Sequence, residues 1–265
     1  MHVIPLSAFD LGLAAFLVLL LAALSIPMRL ALSKTLLIAA SRAIVQLLLL
    51  GLVLKTVFIL NDPVWIALIA LVMLSVAGYE VMARQQRKFL GLWAYGIGTS
   101  AMFVSAFSVT LLALTVIINI EPWYAPRYLI PLLGMLLGNT MNGISLTLDR
   151  LTEDAYRQRD SIEARLMLGH TSGQAIEHIR RNALRAGLMP LINAMATAGI
   201  VSLPGMMTGQ LLGGSPPLEA AKYQILIFLL IAAGSGFGAM GAVWLAEKRL
   251  FDERERLRLD RLRTP

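Results

Sequence analysis

The 265-residue sequence contains no cysteine, which excludes disulfides, thiolate metal sites and thiol nucleophiles and leaves the redox compartment unmarked. It has only three histidines, His2, His170 and His178. The last two stand eight apart in one polar stretch with no third ligand at helical spacing, which falls short of a zinc site. No G-x-x-x-x-G-K-[ST] segment occurs, so the chain has no phosphate loop to cradle ATP. No serine or aspartate pair forms a protease or hydrolase constellation. Charged residues make up 15% of the chain, and acidic residues are scarce inside the apolar runs, where proton or sodium coupling would need them. No inverted repeat is detectable. These absences argue against an enzyme and leave little for an ion-coupled carrier.

What is present is apolar: 57% hydrophobic residues and a mean hydropathy of +0.72 place the chain in a bilayer. The net charge of +7 does not point to nucleic acid, because the basic residues sit at the ends of apolar runs and no aromatic-interleaved basic groove accompanies them. Seven runs are long enough to cross about 30 Å of hydrocarbon: residues 7–26, 35–59, 64–82, 92–118, 127–148, 190–212 and 222–246. The first lacks a basic leader, carries Asp10 and is followed by Ile26-Pro27-Met28-Arg29 rather than a small-residue cleavage site, so it reads as a retained span. Lysine and arginine number 19 in segments 27–34, 83–91, 149–189 and 247–265, against three (Lys55, Arg127, Lys222) in the opposite connections. That bias puts the first set in the cytoplasm and the N-terminus outside. The expected fold is an all-α, polytopic membrane helix bundle of about seven transmembrane helices. It forms one permease domain over 1–265, with a cytoplasmic coupling loop at 149–189 and a basic tail at 247–265. The tail alternates acid and base, so it is expected to continue the last span as a solvated helix, its arginine-rich flank favouring anionic membrane lipid.

Four places within the spans carry candidate chemistry. Arg42 is the one cation well inside a span, with Gln46 one turn deeper; a charge there marks a functional position, the alternative being a side chain that snorkels about 10 Å to the helix end. Glu80 lies at similar depth in the third span, and an Arg42–Glu80 ion pair is expected near the inner mouth. Asn139 and Asn142 share a helix face and either bind helices together or line a pathway. In the sixth span, Pro204-Gly205-Met206-Met207 combines a helix-loosening proline with two thioethers: broken helices are where transporters place substrate, and paired methionines either pack or ligate a soft metal ion. Gly234, Gly236, Gly238 and Gly241 in the last span suit tight helix packing or a dimer seam.

The polar segment 149–189 contains Glu163-Ala164-Arg165, then Leu166-Met167-Leu168, Gly169 and His170, and Ile179 with nine residues between it and Gly169. This spacing resembles the EAA loop of ABC-transporter permeases, a helix-turn-helix that docks into a separate ATPase. The importer loop ends Ile-x-Leu-Pro, whereas Ile179 here precedes Arg180-Arg181-Asn182, which argues against an importer fed by a binding protein. RAIVQLLLLG (42–51), PLLGMLLGNTMN (131–142), LMLGHTSGQA (166–175), VSLPGMMTGQLL (201–212) and EAAKYQI (219–225) resemble the FetB-like permeases, assigned to ATP-driven iron export, with plant relatives linked to aluminium tolerance. The resemblance implies a permease of the plasma (bacterial inner) membrane that binds no cofactor itself, two copies pairing with two cytoplasmic ABC ATPases that use ATP and Mg. It also implies that Glu163, Ala164, Gly169 and His170 form the ATPase-coupling joint. The rival expectation is an ATP-independent carrier or channel built from the same helices.

Overall fold

The computed structural model describes residues 7–30, 32–60 and 62–263. The fold is all-helical, and five of its helical stretches are long and apolar enough to cross a membrane. The chain divides into two compact units: residues 1–62 with 212–215, and residues 63–211 with 216–265.

The first unit is a helical hairpin. Ser7 caps α1 (Ala8–Leu24) in a reciprocal capping box with Asp10, satisfying two of the backbone donors that a helix start leaves open. The turn into α2 (Ser33–Leu60) is fastened by Ser33, whose hydroxyl lies 2.8 Å from that of Ser25 and donates to the Ala22 carbonyl at 2.8 Å. At 17 residues, α1 is about 26 Å long, a few ångströms short of the roughly 30 Å hydrocarbon thickness.

In the second unit, α3 (Pro63–Arg84) is followed by one continuous span over Trp93–Ile117. That span comprises α4 (Trp93–Met102) and α5 (Ser108–Leu112), each followed by a π-helical turn, at Phe103–Phe107 and Ala113–Ile117. A π turn leaves carbonyls poorly paired. Ser105 and Thr110 answer this locally, donating to the carbonyls of Ala101 at 2.8 Å and Ala106 at 2.7 Å. Helix α6 (Pro126–Arg157) is the centre, packed against α3, α9 (Glu177–Thr197) and α11 (Pro217–Leu250). Its buried Leu133, Leu136, Ile144, Leu148 and Leu151 recur at helical spacing and form the core stripe. The glycine stripe of α11 is a packing surface: a Cβ on Gly238 would come within 2.7 Å of Thr140 Cγ2 and 2.8 Å of Ser105 Oγ. Likewise a Cβ on Gly187 would fall on Thr147 and 2.5 Å from the Gly143 carbonyl oxygen, so α9 reaches α6 only because that residue is glycine.

Two expectations are corrected and a third is extended. The helix of the fifth span continues past 148; α6 runs 32 residues, about 48 Å, which is longer than the hydrocarbon is thick. The sixth span is two helices. Helix α9 ends at Thr197, residues 198–204 form a tight non-helical break, and α10 (Gly205–Leu212) follows. Gly199 at φ 80° makes the reversal, and its N–H donates to the Ser202 carbonyl at 2.9 Å. Pro204 therefore sits just before a helix start, where its missing donor costs nothing. The tail does not prolong α11 either. The helix stops at Leu250 because Phe251 turns extended and is buried, and Asp252 captures the N–H groups of Arg254 and Arg256 at 3.0 Å each. The chain then hooks back. Leu262 buries itself in an antiparallel bridge with Phe89, and the Arg263 N–H donates to the Lys88 carbonyl at 2.7 Å.

Candidate functional site

The charged segment folds into a compact knob. Helix α7 (Arg159–Met167) ends at Leu168, and Gly169 adopts φ 87°, the left-handed conformation that closes helices at least cost when the residue is glycine. The Gly169 and His170 N–H groups donate back to Leu166 and Arg165 at 3.0 and 3.2 Å, satisfying carbonyls the helix end leaves open. Thr171 and Gln174 then form a capping box that starts the one-turn helix α8 (Ser172–Ala175), and α9 follows. Ile162, Ala175, Ile176 and Ile179 are buried within the knob. They hold its corner rigid while the tip, Met167 to Thr171, is exposed.

Glu163 is half-buried and Ala164, Gly169 and His170 are exposed, so the structure places the four expected coupling residues on or beside this corner. The two largest groups there escaped the sequence analysis as site residues: Met167 is 83% exposed and Leu168 79%. Two bare apolar side chains on a rigid polar corner are the composition of a docking anchor. Their signal in the sequence was an apolar Leu-Met-Leu immediately before a glycine, inside an otherwise charged stretch.

The knob is tied to the rest of its unit at two points. Arg180 at the start of α9 pairs with Glu247 on α11 at 3.4 Å. The hook's Glu255 carboxylate accepts the Ser172 N–H, and this bonding from Ser172 holds Glu255 below the usual carboxylate range. Between these ties lies a cleft of about 1050 Å³ lined by Ser172, Ile176, Trp244, Glu247, Asp252 and Arg261 among others. Between α3 and the end of α6, Arg87 is clamped at 2.6 Å by Glu153, which also takes Arg157 at 2.7 Å, and the Arg87 guanidinium lies 3.6 Å from the centroid of the Tyr156 ring.

The expected pathway residues lie on α2, α3, α6 and the start of α10. Arg42 and Gln46 lie on α2 of the first unit; Glu80 lies on α3 of the second, 3.6 Å from Arg84. Arg84 in turn donates to the Asn142 side chain, so Asn142 joins α3 to α6. Asn139 donates to the carbonyl of Met135 at 2.8 Å, within its own helix. Pro204 and Gly205 stand at the break, while Met206 and Met207 are consecutive in the first turn of α10. Neighbouring helical side chains diverge by about 100°, so the two thioethers do not face one site within a chain. Among the described residues, no three His, Cys, Asp or Glu side chains converge as a metal site.

Residues 8–251 match the family described as "Uncharacterised protein family (UPF0014)". The chain is 40% identical to "UPF0014 membrane protein slr1647" of Synechocystis over 85% of its length and 86% of that relative. It is 34% identical to "Protein ALUMINUM SENSITIVE 3" of Arabidopsis thaliana over 90% of this chain and 85% of the plant protein. It is 32% identical to "Probable iron export permease protein FetB" of Escherichia coli over 96% of both chains. No solved structure matches. With the family match spanning nearly every helix described above, the chain belongs to the UPF0014 family of membrane proteins.

Proposed function

We propose that this chain is the membrane permease subunit of an ATP-driven ABC transporter, exporting iron or another metal ion. The observation that carries this reading is the knob: a rigid helix-turn-helix whose corner bares Met167 and Leu168. A chain without a phosphate loop must receive work from a protein that has one, and an apolar-tipped corner is what a groove on an ATPase would grip. The ATPase supplies the nucleotide site and uses ATP and Mg; the permease binds neither. Two permeases face two ATPases in the plasma (bacterial inner) membrane. The N-terminus lies outside, and the knob and the C-terminal hook lie in the cytoplasm, in keeping with the distribution of lysine and arginine. The export of iron is supported by the name of the Escherichia coli relative, which matches end to end.

Closure of the ATPases would move the knob, and with it α6 and α9, which leave the knob in opposite directions along the sequence and pack directly on each other. Helix α9 ends in the break at 198–204, so a push at Gly169 reaches Pro204, Gly205 and Met206 through one continuous helix of 21 residues. Gentle detergent extraction of the tagged chain from its native host tests the reading: an ATPase carrying a phosphate loop should co-purify, and Leu168→Asp should release it. Absence of any ATPase from the wild-type eluate would sink the proposal.

A further inference from the structure

Helix α9 loses its last charge at Arg185 and ends at Thr197, about 18 Å further on, so the break at 198–204 lies past the middle of a bilayer about 30 Å thick. Backbone that is not helical is not tolerated against lipid, because its N–H and C=O groups have no water to bond. It has to be covered by protein or line a water-filled space. Yet every residue from Leu188 to Leu211 is at least partly exposed, Ile200 at 89% and Val201 at 80%. Within its own unit, nothing buries this stretch.

Its chemistry restricts what can. Residues 186–218 contain no Asp, Glu, Lys or Arg, so the stretch offers no charge to pair with lipid headgroups or a charged soluble partner. The polar side chains it offers are Asn193, Thr197, Ser202, Thr208 and Gln210, each both a donor and an acceptor. Such a set is self-complementary, as an interface about a two-fold axis requires. The Gln210 side-chain oxygen is already buried and finds no hydrogen-bond partner among the described residues. The stretch from 188 to 211 holds 24 residues, within the roughly 20–30 residues per side of a standard stable interface.

We propose that the uncovered face formed by the end of α9, the break and α10 packs against the same face of a second copy of this chain, bringing the two breaks together at the dimer axis. The proposal rests on the permease reading for its membrane setting, and it deepens that reading by locating the seam. Met206 and Met207, which diverge within one chain, then have counterparts from the second copy, and the backbone of the two breaks, whose N–H groups from Ala198 to Ser202 donate within each turn, faces one shared, water-accessible space rather than lipid.

The absence of native cysteine makes the test clean. Ile192→Cys, Ile200→Cys and Val201→Cys are introduced singly into the full chain, with Val104→Cys, exposed on the Trp93–Ile117 span, as the control. Native membranes are oxidised with copper phenanthroline, and the chain is followed on non-reducing gels. Ile200→Cys and Val201→Cys should convert most of the 28.9 kDa chain to a species of twice that mass, with Val104→Cys remaining monomeric. The seam is overturned if none of the three cross-links while the chains reach wild-type abundance, or if Val104→Cys cross-links equally. Co-purification of an ATPase is scored separately, so a misplaced seam is distinguishable from a failed permease reading.

Discussion

Glu255, on the hook that follows the last membrane helix, accepts the backbone N–H of Ser172, which opens the one-turn helix after the knob's corner. Two segments 83 residues apart in the sequence are thereby joined at the place where force is proposed to enter. If the hook steadies the knob, Glu255→Ala should leave membrane insertion unchanged and raise tryptic cleavage at Arg159 and Arg165 several-fold. Unchanged cleavage would show that α7 and α8 hold themselves.

The hook should also be insensitive to mild acid. Backbone and guanidinium hydrogen bonds from Arg256, joined by the Arg254 N–H, lower the Asp252 pKa to about 2. A carboxylate depressed in the folded state contributes stability above its unfolded value, 3.8, which is lost as pH falls through the folded value. A nitroxide on Arg263→Cys should therefore stay restricted at pH 5 in detergent and become free only between about pH 4 and 2. Release at pH 5 to 6 would assign the anchoring to another group.

Gly238→Ala should destabilise the second unit, since the added Cβ meets Thr140 and Ser105 at 2.7 and 2.8 Å, whereas Gly236→Ala opens onto free space and should be silent. Overpacking of this kind costs about 1–3 kcal/mol, visible as a fall of several degrees in the melting temperature of the purified chain. Equal melting temperatures for the two variants would contradict the packing described for α6 and α11.

The helices were legible because bilayer crossing demands length and apolarity, and both are written in composition. The hook was not. Its alternating charges carry a helical signature, and the residues that overrule it, Phe251 and Leu262, declare themselves only once Phe89 is beside them. The break in the sixth span was half legible. Pro204 was visible as a helix-loosening residue, but the turn is made by Gly199 five residues earlier, in an apolar run that hides it. The π turns at Phe103 and Ala113 left no mark in a stretch that is apolar at every period. At the knob, the spacing around Gly169 gave the corner. It could not reveal Met167 and Leu168 as the exposed anchors, because amphipathic spacing alone does not say which apolar groups the neighbours cover.

Gly169 itself offers a graded test. A Cβ there would meet nothing within 4 Å, so any cost is conformational: a left-handed residue other than glycine is disfavoured by roughly 1–2 kcal/mol, and asparagine by less. ATPase activity of the assembled complex should fall a few-fold for Gly169→Ala and less for Gly169→Asn. Indifference to both would mean that the corner does not transmit force.

The most direct measurement is metal flux in proteoliposomes containing the purified chain with and without its ATPase. The account predicts that iron crosses only when both proteins and hydrolysable ATP are present, and that Leu168→Asp, which removes an apolar anchor worth about 1.5–3 kcal/mol, cuts the flux at limiting ATPase by roughly ten-fold or more. Equal flux through the chain alone, without ATP, would identify a carrier or channel and contradict the account.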